Sequence, residues 1–284
     1  MNIDAVQSFR LAPIEQRYSA RDSILYALGL GFGERPVDPV HLQFVFEKEL
    51  KAVPSACVVL AHPGFWVSNP ALKIDWIKIL HGEQAFEILH PLPAEGLVRG
   101  EYEILAVDDK GLEKGAVLHV VKRLFDSSSG RLLANVTSVY MLRGDGGGGG
   151  FGVVPPPPTQ LPDGEPDLTW DIRTLPQSAL IYRLSGDLNP IHADPAASAK
   201  AGFARPVLHG LCSMGLATRA LIEAVCDGDP ARIRSLSLRF SKPLFPGETV
   251  RMEMFRMGSV IRFRARSVER NVVVLDRGTA VISP

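Results

Sequence analysis

Leu238-Arg239-Phe240-Ser241-Lys242-Pro243-Leu244-Phe245-Pro246-Gly247-Glu248 runs into Thr249-Val250-Arg251-Met252-Glu253-Met254. It reads as a strand, a Pro-Leu kink, a Gly/Glu turn and a second strand. The same order occurs earlier, where Phe86-Glu87-Ile88-Leu89-His90-Pro91-Leu92-Pro93-Ala94-Glu95-Gly96 runs into Leu97-Val98-Arg99-Gly100-Glu101-Tyr102-Glu103-Ile104. Two more strand-like runs follow each copy, at 116–124 and 132–141 in the first and at 260–268 and 272–282 in the second. Self-similarity of this kind predicts one antiparallel unit used twice. Alternation is clean in Ile261-Arg262-Phe263-Arg264-Ala265-Arg266, which puts three arginines on one face, read as a solvated face rather than a phosphate contact.

Between the copies, residues 144–152 are mostly glycine and Pro155 to Pro158 follow. Such a tract reads as a flexible piece and then a stiff extended spacer. Phosphate binding is not expected of it, because the strand-GxxxxGK[ST]-helix context is missing. The boundaries expected are a first unit at 1–145, a linker at 146–165 and a second unit at 166–284.

Helical signals are few. Asp194 is a good N-cap with Pro195 after it and Gly202 as a stop. A longer helix is predicted from Gly210 to about Val225. Its apolar residues Leu211, Met214, Leu216, Ala217, Leu221, Ile222 and Val225 spread round most of the surface, so it should be buried within the strands that follow. A third helix is expected from Arg21 to Gly31. Where the first half should carry its own long helix it has Pro54, Pro63, Gly64 and Pro70. Prolines at that spacing forbid four helical turns. The first half is therefore expected to keep its sheet, shorten or lose its core helix, and leave space for a bulky ligand.

Chemistry concentrates in Tyr182-Arg183-Leu184-Ser185-Gly186-Asp187-Leu188-Asn189-Pro190-Ile191-His192. On a helix Asp187 and His192 would face apart. On a loop bent at Gly186 and stiffened by Pro190 they can converge on one water, with Asn189 orienting its neighbours. Such an acid/base pair suits the addition or removal of water. A metal held by Asp187, His192 and Asp194 is the weaker reading, because no further ligand cluster accompanies them. His209 reads as a structural hydrogen-bonder rather than a proton donor, and Tyr26 and Tyr182 as packing residues.

Composition sets outer limits. The 284 residues are ample for two cores of about 130 each. Lys plus Arg and Asp plus Glu are 31 each, so nothing points to nucleic acid or an anionic membrane. Cys57, Cys212 and Cys226 have no metal-ligand spacing and read as reduced, buried thiols. The N-terminus lacks a signal-like pattern, no window approaches 18 apolar residues, and the C-terminal Val281-Ile282-Ser283-Pro284 is not a peroxisomal tripeptide. A cytoplasmic location is expected.

A buried helix wrapped by an antiparallel sheet, duplicated, is the plan of a double hotdog, an α+β fold. The segment from Tyr182 to His192, with Ala193-Asp194-Pro195 and Arg205-Pro206-Val207-Leu208-His209-Gly210, resembles the MaoC-like, or type 2, enoyl-CoA hydratases. Arg21 to Gly29, Leu80-His81-Gly82-Glu83-Gln84 and Arg143-Gly144-Asp145-Gly146 resemble the two-hotdog members, so the likeness spans nearly the whole chain. It implies reversible hydration of trans-2-enoyl-CoA to the (3R)-3-hydroxyacyl-CoA in fatty-acid or steroid side-chain metabolism, without a cofactor or metal. By resemblance Asp187 and His192 are the catalytic pair, Asn189 their support and Gly210 the thioester-holding glycine. His81, Gly82, Lys110 and Phe240 match positions that contact the CoA ester. Only the second half carries the acid/base loop, so one site per chain is expected, with the first half binding CoA and the acyl chain. Family behaviour suggests a homodimer. The competing readings are an acyl-CoA thioesterase, a non-catalytic acyl-CoA-binding subunit, and a dehydratase acting on an acyl-carrier protein, which the neutral charge does not favour.

Overall fold

Strands form wherever the alternation and turn residues put them, and the computed structural model, which describes all of Met1–Pro284, adds their order. The strands are β1 (Ile14–Tyr18), β2 (Ile79–Ile88), β3 (Gly96–Asp109), β4 (Ala116–Asp126), β5 (Leu132–Leu142), β6 (Phe151–Gly152), β7 (Leu168–Arg173), β8 (Ile233–Phe240), β9 (Thr249–Met257), β10 (Val260–Ser267) and β11 (Val272–Ile282). The helices are α1 (Ile3–Ser8), α2 (Ala20–Gly29), α3 (Pro39–Leu42), α4 (Ser178–Tyr182), α5 (Pro195–Lys200) and α6 (Gly210–Ala224). One sheet runs β1-β3-β4-β5-β2-β8-β11-β10-β9-β7, with β6 added on β3. Read outward from its middle, each half repeats the same connectivity, which is the double hotdog. The seam is the antiparallel pairing of β2 with β8, from Glu83↔Arg239 to Glu87↔Ser235.

In the second half α6 fills the sheet. Every residue from Cys212 to Ile222 is buried, as a helix apolar on all sides requires. Arg219 lies among them and is fully partnered. It donates to Leu30 O at 3.0 Å, Glu34 at 2.9 Å and Glu223 at 2.8 Å. Glu223 also pairs with His41 and accepts from the Trp170 indole, each at 2.8 Å. The residues of this network come from both halves, so burying the charges also locks the halves together. A single cluster of 47 buried apolar residues crosses the seam, which makes the halves one packed body rather than two beads on a linker.

The equivalent place in the first half holds no long helix. Pro54–Val58 forms one buried 3-10 turn instead, packed against α6, and shorter turns follow at Trp66–Ser68 and Pro70–Leu72. A broken helix leaves carbonyls that need donors. Lys122 of β4, itself buried, supplies them: its ammonium reaches Cys57 O at 2.7 Å, Val58 O at 3.2 Å and Leu60 O at 2.6 Å. Burial lowers its pKa to about 8, which still leaves it cationic at neutral pH. Beside this turn lies a small cleft of about 20 Å³, walled by Val58, Pro63, Trp66, Val120, Val136 and Tyr140 among others, so the space expected for a bulky ligand is not open here.

Two expectations need correction. The glycine tract is not a free tether. Gly147 and Gly149 donate to the Asp109 carboxylate at 2.8 and 2.7 Å, and Phe151-Gly152 pairs with β3. Backbone donors meeting one carboxylate anchor a composition that would otherwise be mobile. The arginine face of β10 is also less solvated than its alternation suggested. Arg264 and Arg266 both pair with Glu253, and Arg262 donates to the carbonyls of Thr159 and Gln160 in the proline-rich segment. The three cysteines are free and buried, and burial pushes the Cys57 and Cys226 thiols up to about 12, so they are unreactive.

Lys122→Met should destabilise the protein by about 3–5 kcal/mol, because three buried carbonyls lose their donor together. Urea unfolding would measure it. A loss below about 1 kcal/mol would show that the 54–61 segment holds its shape without the ammonium.

Candidate active site

The loop between α4 and α5 is built by local hydrogen bonds. Gly186 takes φ +119°, a left-handed value suited to glycine, and turns the chain after a short 3-10 segment. Asp187 Oδ1 then accepts from Asn189 N at 3.1 Å, and Asn189 Oδ1 accepts from Ile191 N at 3.2 Å, so two Asx turns in series carry the chain to His192. Asn189 therefore caps the turn Pro190–His192. Asp194 does not join a ligand set. It caps α5, accepting from Ala196 N at 2.8 Å.

His192 is buried, and its Nδ1 lies 2.8 Å from Val207 O. A carbonyl only accepts, so Nδ1 carries the proton and Nε2 the lone pair. That bare Nε2 faces Asp187 Oδ2 at 3.8 Å, too long for a direct hydrogen bond and suited to a bridging water. Burial lowers the His192 pKa, against smaller upward pulls from the Val207 carbonyl and Asp187. The imidazole is thus neutral at pH 7 and able to act as a base.

His209 is the hydrogen-bonder that its sequence suggested, with a ring contact added. Its ring stacks on His192 with centroids 3.6 Å apart and 23° between planes, and its Nε2 lies 3.1 Å from Asp187 O. Asp187, His192 and His209 hold their donor atoms within 4.8 Å of one another, in place of the trio with Asp194. The two rings lie nearly face to face, however, so their lone pairs run in near-parallel planes. His209 Nε2 is also committed to a carbonyl. The arrangement leaves one imidazole nitrogen and one carboxylate opposed across a gap, which suits a water better than a cation.

Gly210 opens α6 directly after His209, where first-turn N–H groups have no helical acceptor and the dipole is positive. A Cβ on Gly210 would lie 3.3 Å from the Phe240 ring, a tight contact that the ring would have to yield to by a few tenths of an ångström. Phe240 in turn packs edge-on to His81 at 5.1 Å, and His81 lies 5.0 Å from Tyr140, a wall of the first-half cleft. Gly210, Phe240, His81 and Tyr140 thus form a continuous row of packed groups from the acid/base loop across the seam to the wall of that cleft. Gly82 sits on it too, its Cα side against Met141. His81 Nε2 is buried without a protein partner, as is His209 Nδ1. His62, an exposed residue, also lines the cleft, with Nδ1 accepting from Gly64 N at 3.1 Å. No pattern in the sequence singled out His62.

Lys110 is not beside the pair. It lies in the turn after β3, 2.5 Å from Asp108, and the register His81↔Tyr140↔Leu118↔Val107 puts β3 three strands from β2. That is roughly 14 Å across the sheet.

The sequence was compared with known proteins. Residues 157–277 match the MaoC like domain family and residues 16–144 the MFE-2 hydratase 2 N-terminal domain. The chain is 36% identical to a probable enoyl-CoA hydratase 2 of Dictyostelium discoideum, over 100% of this chain and 97% of that protein. It is also 36% identical to a peroxisomal enoyl-CoA hydratase 2 of Arabidopsis thaliana, over 96% of this chain and 93% of that protein. The crystal structure of a MaoC-like dehydratase from Phytophthora capsici superposes with a TM-score of 0.88 at 36% identity, over 100% of this chain and 99% of that one.

Burial holds His81 and His209 each at about 4, below the ordinary value of 6.5. Between pH 6.5 and 4 the unfolded chain therefore binds protons that the folded one refuses, and stability must fall as pH falls through that window. Thermal unfolding should show Tm declining steadily from pH 7 to pH 4. A flat Tm over that range would contradict neutral, buried imidazoles.

Proposed function

The chain belongs to the MaoC-like dehydratases with a hydratase 2 N-terminal domain, and on that premise we propose the reaction of its site. The enzyme is a hydro-lyase that reversibly adds water to trans-2-enoyl-CoA, giving the (3R)-3-hydroxyacyl-CoA of fatty-acid metabolism. The observation that carries the assignment to residues is the 3.8 Å gap between the bare His192 Nε2 and the Asp187 carboxylate, next to the first N–H groups of α6.

The thioester carbonyl oxygen lies against Gly210 N–H, where the helix dipole stabilises the negative charge that builds as C3 is attacked. A water held by Asp187 and His192 bonds through its oxygen to C3. One of its protons passes to His192 Nε2, and the pair delivers a proton to C2, so that H and OH add across the double bond and the pair returns to its starting state. As His192 becomes imidazolium, Asp187 balances its charge. Asn189 keeps the loop in register. His81, Gly82 and Phe240 flank the ester. Lys110, at the far end of the same strand ends, suits a CoA phosphate rather than the thioester. Neither step calls on a metal or cofactor.

The acyl chain enters the first half along the path from Phe240 past His81 and Tyr140 into the cleft beside Lys122. The proline-broken first half, with short turns in place of a long helix, supports medium, long or branched chains, steroid side chains among them. A cytoplasmic homodimer completes the reading. No helix is long and apolar enough to cross a membrane, and since the Arabidopsis relative is named as peroxisomal, cell fractionation is the test of compartment and sedimentation that of the dimer.

Purified protein should consume crotonyl-CoA and longer enoyl-CoAs, followed by loss of enoyl absorbance. Asp187→Asn and His192→Gln should each lower kcat by about 10²–10⁴ without unfolding the chain. No turnover by the folded wild type, with biological activity unchanged in both variants, would favour the non-catalytic subunit, and release of free thiol from saturated acyl-CoA would favour the thioesterase.

Val136→Phe, which fills the cleft, should depress kcat/KM for 2-decenoyl-CoA roughly 10-fold more than for crotonyl-CoA. Equal effects on the two substrates would put the chain elsewhere.

A further inference from the structure

His209 touches both members of the acid/base pair, yet neither the loop motif nor the chemistry above gives it work. Its geometry restricts what it can be. Asp187 O is an acceptor only, so His209 Nε2, 3.1 Å away, must carry the ring's proton. Nδ1 is then the bare nitrogen. It is buried and faces no protein donor or acceptor. A second proton placed there would be a buried charge without a partner, which burial strongly disfavours. His209 is therefore held neutral by its surroundings over the whole range in which His192 changes charge. Its low pKa, caused first by burial and then by His192, agrees.

A neutral aromatic ring lying 3.6 Å from His192 and 23° from parallel presents its π face to that imidazole. When His192 takes the proton of water it becomes a cation beneath this face, and a cation over a π system is attracted to it. The other groups that set the charge around the pair are Asp187, which favours the imidazolium, Arg183, which opposes charge on His209, and His62 and His81 of the first half, which both feel the Asp187 carboxylate. Tyr182 packs its ring 5.0 Å from His209 on the remaining side, and burial keeps its phenol protonated.

We propose that His209 is a positioning residue for the hydration step, with two separable functions: its Nε2–H holds the Asp187 main chain in place, and its ring face supports the imidazolium form of His192. It touches no reacting atom. The inference rests on the hydratase reading of Asp187 and His192.

The test uses three variants of the full chain with crotonyl-CoA across pH 5–9. His209→Phe keeps the face and loses the donor. His209→Gln keeps a donor and loses the face. His209→Leu loses both while keeping bulk. Without the ring face His192 is harder to protonate, so the acid limb of kcat/KM should move about half to one pH unit lower in the Gln and Leu variants and stay in place in Phe. In Phe and Leu kcat should fall about 10-fold with KM changed less than about 2-fold, as loss of one hydrogen bond that orders the reacting loop predicts. A residue needed only for folding would lower Tm without moving the limb. Coincident acid limbs in all proteins, or an unchanged kcat in the Phe and Leu variants, would overturn the proposal. If the Leu variant does not fold, the Phe and Gln pair decides alone, since opposite outcomes are expected for the limb. An inactive wild type would instead count against the hydratase reading.

Discussion

Five cross-strand pairs between β2 and β8 join two five-stranded half-sheets into one continuous surface, and the remainder of the molecule follows from that seam. A sheet this long can close neither half without something to wrap. The second half wraps α6. The first wraps a short turn and a cleft, and remains closed because its neighbour across the seam provides the rest of the core. The seam also fixes where chemistry can occur. Phe240 is the last residue of β8 and His81 lies near the start of β2, so the two halves present their strand ends side by side. Asp187, His192 and Gly210 meet them there.

Much of this was legible in the sequence, for definable reasons. The β strands were legible because strand-like runs recur in the same order in both halves and because Pro, Gly and Glu mark the same turn in each. Helix α6 was legible because apolar residues on all sides of a 15-residue helix have no explanation except burial. The missing helix was legible from Pro54, Pro63 and Pro70. What takes its place was not. Lys122 sits in an apolar strand, and only the fold reveals that three carbonyls sixty residues upstream need its ammonium. The glycine tract misled because its order comes from Asp109, a carboxylate on another element.

The site divides along the same line. The Asp187, Asn189 and His192 arrangement is coded within eleven residues by Asx turns and a proline, so local sequence suffices. The tautomer of His192 depends on Val207, and the ring over it on His209, both contributed by the segment that leads into α6. His62 and Tyr140 come from the other half altogether. Side chains placed by long-range packing leave no local trace, whereas those placed by turn chemistry do. Lys110 marks the opposite limit: it follows β3, three strands from β2, and its ammonium pairs with Asp108.

The exchange of a helix for a lysine-capped turn has a consequence for how such a chain can change over time. A duplicated fold with two filled halves would tie every alteration of one site to its twin. Here the Asp187–His192 loop and the segment from Pro54 to Leu72 belong to separate stretches of chain. The first part of that segment, up to Ala61, is buried against α6 and tied to Lys122, so it is as constrained as the loop. The exposed positions between His62 and Ala71 are not, and there new side chains can be sampled while Asp187 and His192 stay in register.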